Sequence, residues 1–134
     1  MKTLALLALV FVGVPLSAKA QCRFSSAART EFTSCPLDTS YIAFDGQRYR
    51  ALVTLNTCCG NGQYKTRSFT GGFSDVTYCA GPIGSGEYIM TGRWSALGQG
   101  GRVEFALRGN EMRGHWWDSS GVQRDWSGTQ CCSC

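Results

Sequence analysis

The chain has 134 residues, of which 43% are hydrophobic and 16% charged, with a formal net charge of +4. That length supplies one domain with a modest core, and the absence of any basic run argues against a nucleic-acid binder. Eight cysteines beside a single histidine point to sulfur bridges rather than to a histidine-rich metal centre.

The N-terminus is patterned as an export signal. Lys2 gives a short positive region, Leu4 to Leu16 is almost wholly apolar, and Ala18-Lys19-Ala20 offers the small-x-small pattern that signal peptidase accepts. The expectation is a signal peptide over residues 1–20, cleavage before Gln21, and a single disulfide-rich β domain over 21–134. The apolar run falls short of the ~20 residues that a membrane helix needs, and no later segment reaches that length. The expected product is soluble and acts outside the cell, or in the periplasm of a bacterium. Lys2 and Lys19 leave with the signal, so the 13 basic side chains drop to 11 against 9 acidic ones.

The cysteines are Cys22, Cys35, Cys58, Cys59, Cys79, Cys131, Cys132 and Cys134, all beyond the cleavage point. An even number in a short exported chain reads as a disulfide framework whose connectivity stays open. Pairing within Cys131-Cys132-Ser133-Cys134 would close small, strained rings, so the tail is expected to reach back to upstream cysteines. Neighbours in a strand point to opposite faces, so Cys58/Cys59 and Cys131/Cys132 would each staple in two directions. Each bridge contributes roughly 2–4 kcal/mol. A metal site on the Cys-Cys-x-Cys tail is the rival reading; the oxidising compartment weighs against it, and neither metal nor other cofactor is expected.

In chain order, Arg23 to Phe32 fits either a short helix or an edge strand. Tyr41 to Phe44, Asp45-Gly46 and Gln47 to Leu55 then read as a two-residue hairpin. That register sets Ile42 opposite Tyr49 and gathers Ile42, Phe44, Tyr49, Ala51, Val53 and Leu55 on one apolar face, with Arg48 and Arg50 on the other. Gly60-Asn61-Gly62 and Gly71-Gly72 mark further turns, and Gly81 to Gly86 a longer loop.

The C-terminal half is the most informative stretch. Gly109-Asn110 suits a type II′ turn that pairs Leu107 with Met112, Glu104 with His115 and Val103 with Trp116. A four-residue connection from Gly98 to Gly101 would set Trp94 opposite Phe105. A three-residue turn at Ser119-Ser120-Gly121 would set Trp126 opposite Gly114. One face then collects Tyr88, Met90, Trp94, Ala96, Val103, Phe105, Leu107, Met112, Trp116, Val122 and Trp126, and a one-residue slip would scatter them. The predicted fold is mostly β: a small antiparallel meander within a sandwich or barrel, stapled by disulfides. Gly92-Arg93-Trp94 and Gly114-His115-Trp116 repeat a Gly-x-Trp device that leaves room for an aromatic across the strand. In this it is similar to small ligand-binding barrels such as lipocalins and avidins.

The opposite face of these strands collects Arg93, Arg102, Glu104, Arg113, His115, Trp117 and Asp125. Much of that is the mixed-charge covering of any half-buried antiparallel sheet. Trp117 stands out as a large aromatic among charges: either a binding platform together with Arg93, Arg113 and His115, or a ring covered by the N-terminal segment. Glu104 and Asp125 would flank His115 from neighbouring strands, an arrangement that suits a general acid or base.

No Gly-x-Ser-x-Gly elbow, phosphate loop or Ca²⁺ loop is present. The first functional expectation is therefore a secreted, cysteine-rich, non-enzymatic binding or effector-type protein, whose partner is an extracellular protein or glycan of a host or surface. The alternative comes from a resemblance. Arg102-Val103-Glu104-Phe105 followed by His115 resembles the strand region of small guanyl-specific fungal ribonucleases, secreted α+β enzymes. Carried over, the resemblance implies that Arg102 stabilises phosphate, His115 is the general acid and Glu104 or Glu87 the base. That family's second active-site histidine has no counterpart in this chain.

Overall fold

Alternation of inward apolar and outward polar side chains, broken at a bulge in β4, builds eight strands, as a half-buried antiparallel sheet requires. They are β1 (Leu37–Ile42), β2 (Arg48–Asn56), β3 (Asn61–Lys65), β4 (Thr70–Ala80), β5 (Glu87–Ala96), β6 (Gln99–Arg108), β7 (Glu111–Trp117) and β8 (Gln123–Gln130). The computed structural model describes residues 36–56 and 59–130. The export signal, the segment 22–35, Cys58 and the tail with Cys131, Cys132 and Cys134 lie outside the described residues.

Each strand pairs antiparallel with the next, and β8 returns to β1, so the sheet closes into an up-and-down barrel. The choice between sandwich and barrel is settled in favour of the barrel, and the expected meander of four strands is half of one with eight. In β6, Val103, Phe105 and Leu107 are buried while Arg102 and Glu104 are exposed. Met90, Met112, Tyr78, Val53 and Leu55 join them in one continuous core. Eight strands enclose a space that side chains can just fill, or that one small ligand can share.

The C-terminal registers agree with the sequence at two of three turns. Leu107 faces Met112, Glu104 faces His115 and Gly114 faces Trp126. Gly109 has φ +61 and Gly121 φ +89, the left-handed backbone that both turns need. The connection between β5 and β6 differs from expectation. It is a two-residue turn at Leu97-Gly98, both with positive φ, so Trp94 faces Gly101 and not Phe105. The shift is four residues, an even number, so every side chain keeps its face. Val122 is also exposed, lying in the β7–β8 loop outside the predicted apolar face.

The first hairpin is corrected more deeply. Its loop spans five residues, 43–47, closed by Ala43 N–H donating to the Gln47 carbonyl at 2.8 Å. Asp45 Oδ1 accepts from Gln47 N–H at 2.9 Å, an Asx turn that competes with a two-residue hairpin. Tyr41 therefore faces Tyr49 and Ile42 faces Arg48, one residue away from the expected register. On β1 it is Leu37, Thr39 and Tyr41 that turn inward, and Ile42 leaves the apolar face. Ala51, Val53 and Leu55 stay on it as expected.

Gly71-Gly72 is likewise not a turn: both residues lie within β4. The turn is earlier, at 66–69, where Thr66 Oγ1 accepts from the Ser68 and Phe69 amides. Gly71 sits opposite Tyr64, and a Cβ there would run into the Tyr64 ring. Asn61-Gly62, read as part of a turn, opens β3 after a turn at 59–60. A bulge between Ser74 and Thr77, with Asp75 at φ +51, shifts the β4 register and turns Val76 and Tyr78 inward after Phe73.

Candidate functional site

The loops β1–β2, β3–β4, β5–β6 and β7–β8 all lie at one end of the barrel, and the aromatic side chains crowd toward it. β3 is only five residues long and stops at Lys65 opposite Leu52, so Arg48 to Ala51 of β2 have no ladder partner on that side. The 66–69 loop borders this notch. Mouth and notch together form a cavity of about 990 Å³ whose wall includes Tyr41, Phe44, Tyr64, Phe69, Trp94 and Trp116, with Trp126 below. Arg48, Arg50, Lys65 and Arg67 also line it.

The rings are fixed by one another and by their polar atoms. Trp94 and Trp116 meet edge to face at 5.3 Å, Phe44 and Trp116 at 5.1 Å, and Tyr64 and Trp126 at 5.0 Å. Such T-shaped pairs add ~0.5–1.5 kcal/mol beyond area burial. The three inward indoles each donate a hydrogen bond to another strand. Trp94 Nε1 donates to the Trp117 carbonyl at 2.8 Å and Trp116 Nε1 to the Ile42 carbonyl at 2.9 Å. Trp126 Nε1 donates to Thr39 Oγ1 at 2.8 Å, and that hydroxyl donates onward to the Ala51 carbonyl at 2.7 Å. The cup is thus preorganised, its walls already in place before anything enters.

Phe44 is 54% exposed at the rim. The Arg124 guanidinium lies 5.1 Å from its ring centroid and 5.1 Å from that of Trp116, a cation over two aromatic faces. Asp118 Oδ2 holds Arg124 at 2.7 Å. That bond, then the Ser120 hydroxyl, then the Val122 and Ser120 amides hold the Asp118 carboxyl well below the usual carboxylate range. Across the rim, Tyr49 Oη donates to Asp45 Oδ2 at 2.6 Å. Burial, with a smaller contribution from Asp45, pushes the Tyr41 phenol up, and burial pushes the Tyr64 phenol up further.

The residues predicted from the sequence lie elsewhere, on the outer face of β5–β8. The register brings Glu104, His115 and Asp125 into one row, and Arg93, Arg102 and Trp117 into the next. The Arg102 guanidinium lies 4.1 Å from the Trp117 ring centroid, and the His115 ring is 6.1 Å from that of Trp117. Arg113 is exposed on the same face, opposite Ala106 and Ser127. Asp125 is turned toward Arg48, at 3.2 Å. Glu87 lies opposite Arg108 at the far end of β5, away from His115. Neither His115 nor Trp117 lines the cavity. Where the ribonuclease resemblance implies α+β, the described residues form strands alone.

Sequence reasoning assigned Trp94, Trp116 and Trp126 to the core and missed the cup. The signal was present: Tyr41, Phe44, Phe69, Trp94 and Trp116 all lie within a few residues of alternate turns, at one end of their strands. Among the described residues no helix is long and apolar enough to cross a membrane, and no cluster of His, Cys, Asp and Glu could hold a metal ion. No family model matches the chain, and neither does any curated protein or solved structure.

Proposed function

We propose that this is a secreted, non-enzymatic binding protein of the effector type, and that it takes an apolar or ring-bearing part of its extracellular partner into the barrel mouth. The observation that carries this is the open, aromatic-walled cavity of about 990 Å³ in a barrel whose remaining interior is packed. Concave, mostly apolar sites with a few fixed polar groups are where small ligands bind. The outer face with Trp117, Arg113, His115 and Arg93 is convex, as the outside of any barrel is, and supports a platform less well.

The export signal and the eight cysteines support action outside the cell. Cys59 and Cys79, the two described cysteines, are not free thiols. Both lie toward the end of the barrel opposite the mouth, Cys59 between β2 and β3 and Cys79 near the end of β4. In this proposal disulfides secure one end and leave the other open.

A neutral apolar reporter, N-phenyl-1-naphthylamine, tests the site. Its emission should rise saturably with one site per chain, and Ala96→Phe, which narrows the cup from the β5 wall, should abolish the rise while leaving the melting temperature nearly unchanged. An undiminished response in Ala96→Phe would place binding elsewhere.

A further inference from the structure

We infer that the ligand of the mouth is an amphipathic aromatic anion: a flat ring system in the cup, with a carboxylate, sulfate or phosphate held at the notch. The inference rests on the binding role proposed above and deepens it. Four cations line the cavity and no carboxylate does. Two of the four are turned outward to acids: Arg50 to Asp38 at 2.8 Å and Arg48 to Asp125 at 3.2 Å. Lys65 and Arg67 make no ion pair among the described residues, and they flank the gap that the short β3 leaves beside β2.

Of the mouth-loop carboxylates, Asp118 is paired with Arg124, and Asp45, held by the Tyr49 hydroxyl and the Gln47 amide, does not line the cavity. Apolar walls of low dielectric strengthen the field of a cation at their edge. A guanidinium can also engage a carboxylate, sulfate or phosphate through two parallel hydrogen bonds. An anionic head at the notch would therefore meet Lys65 and Arg67 while its ring lies against Trp94, Trp116 and Tyr64. A cationic head at the notch would be repelled by Lys65 and Arg67.

The test is a charge series on one ring, titrated into the folded, oxidised protein by calorimetry: 2-naphthalenesulfonate, 2-naphthalenemethanol and 2-naphthylmethylammonium. The sulfonate should bind about tenfold tighter than the ammonium compound, from two partly exposed charge contacts. High salt should shrink that preference. In the Lys65→Gln/Arg67→Gln double variant, both positions being exposed, the sulfonate should fall to the affinity of the neutral alcohol. Equal affinity for all three probes would overturn the anion preference and leave mouth binding intact. A preference that survives in the double variant would overturn the assignment to the notch. No saturable heat with any probe, as when a segment of the chain itself fills the cup, would overturn both this inference and the binding role beneath it.

Discussion

At the scale of single residues, glycine lets neighbouring strands of this barrel approach closely. Gly114 faces Phe105 on one side and Trp126 on the other, and a Cβ there would collide with the Glu104 carbonyl of β6. Backbone cannot give way as a flexible side chain can. Gly114→Ala should cost about 1–3 kcal/mol, the usual range for overpacking, read from denaturant melts. Gly72→Ala is the control: the nearest atoms to its Cβ would be 3.8 Å away, in ordinary contact, so its stability should be close to wild type. Equal losses in the two variants would contradict this account. Asp118 gives a second test. Its carboxyl is held below the unfolded value of ~3.9, so its contribution is present above that pH and lost as pH falls through the folded value. Wild type should therefore lose stability below about pH 4, and Asp118→Asn should lose less over the same range. A wild-type minus variant difference that stays constant down to pH 2 would argue against the Arg124 bond as the cause.

At the scale of strands and turns, what could be read from the sequence depended on where each turn's chemistry lay. Gly109-Asn110 and Ser119-Ser120-Gly121 carry their left-handed residue as glycine, and both registers followed directly. The Leu97-Gly98 turn places a leucine at φ +52, a conformation that no propensity assigns to leucine. The parity of that strand survived because the neighbouring apolar pattern fixed it. The first hairpin failed because Asp45 uses its side chain to close a wider loop, so the Asp-Gly pair did not mark a two-residue turn. Gly71-Gly72 was misread because a glycine needed for close approach looks the same in sequence as one needed for a turn. The Gly-x-Trp device was half right. Gly114 does sit opposite Trp126, but the close approach it allows is to the β6 backbone; Gly92 lies against Val76 and Val103, and it is Gly101 that faces Trp94. The polar row of Glu104, His115 and Asp125 was legible, since it needs only parity and two turns. Of the cup, only the gathering of aromatics near alternate turns was legible; the notch was not, because it arises where β3 ends early and loops from distant parts of the chain converge.

At the scale of the whole molecule, the barrel has two unlike ends. Strand closure removes sheet edges that could recruit another chain, apart from Arg48 to Ala51 of β2 at the notch, and the core beneath the mouth is packed with Met90, Phe105, Leu107 and Met112. The proposed bridges should act on the unfolded ensemble, at roughly 2–4 kcal/mol each. Unreduced protein should be lighter than the reduced form by one hydrogen per cysteine in intact mass spectrometry. Reduction should lower the melting midpoint sharply and blunt its cooperativity. A full set of alkylatable thiols in folded protein would remove the framework from the account.

The two unlike ends also bear on how the protein can be handled. The described barrel begins at Leu37 and finishes at Gln130, which are direct partners in the sheet and lie away from the mouth. A label placed on Gln130 would therefore sit on the side opposite the aromatic cup. Molecules tethered through such a label would all present the same end to solution, oriented by the parity of an even-stranded closed sheet.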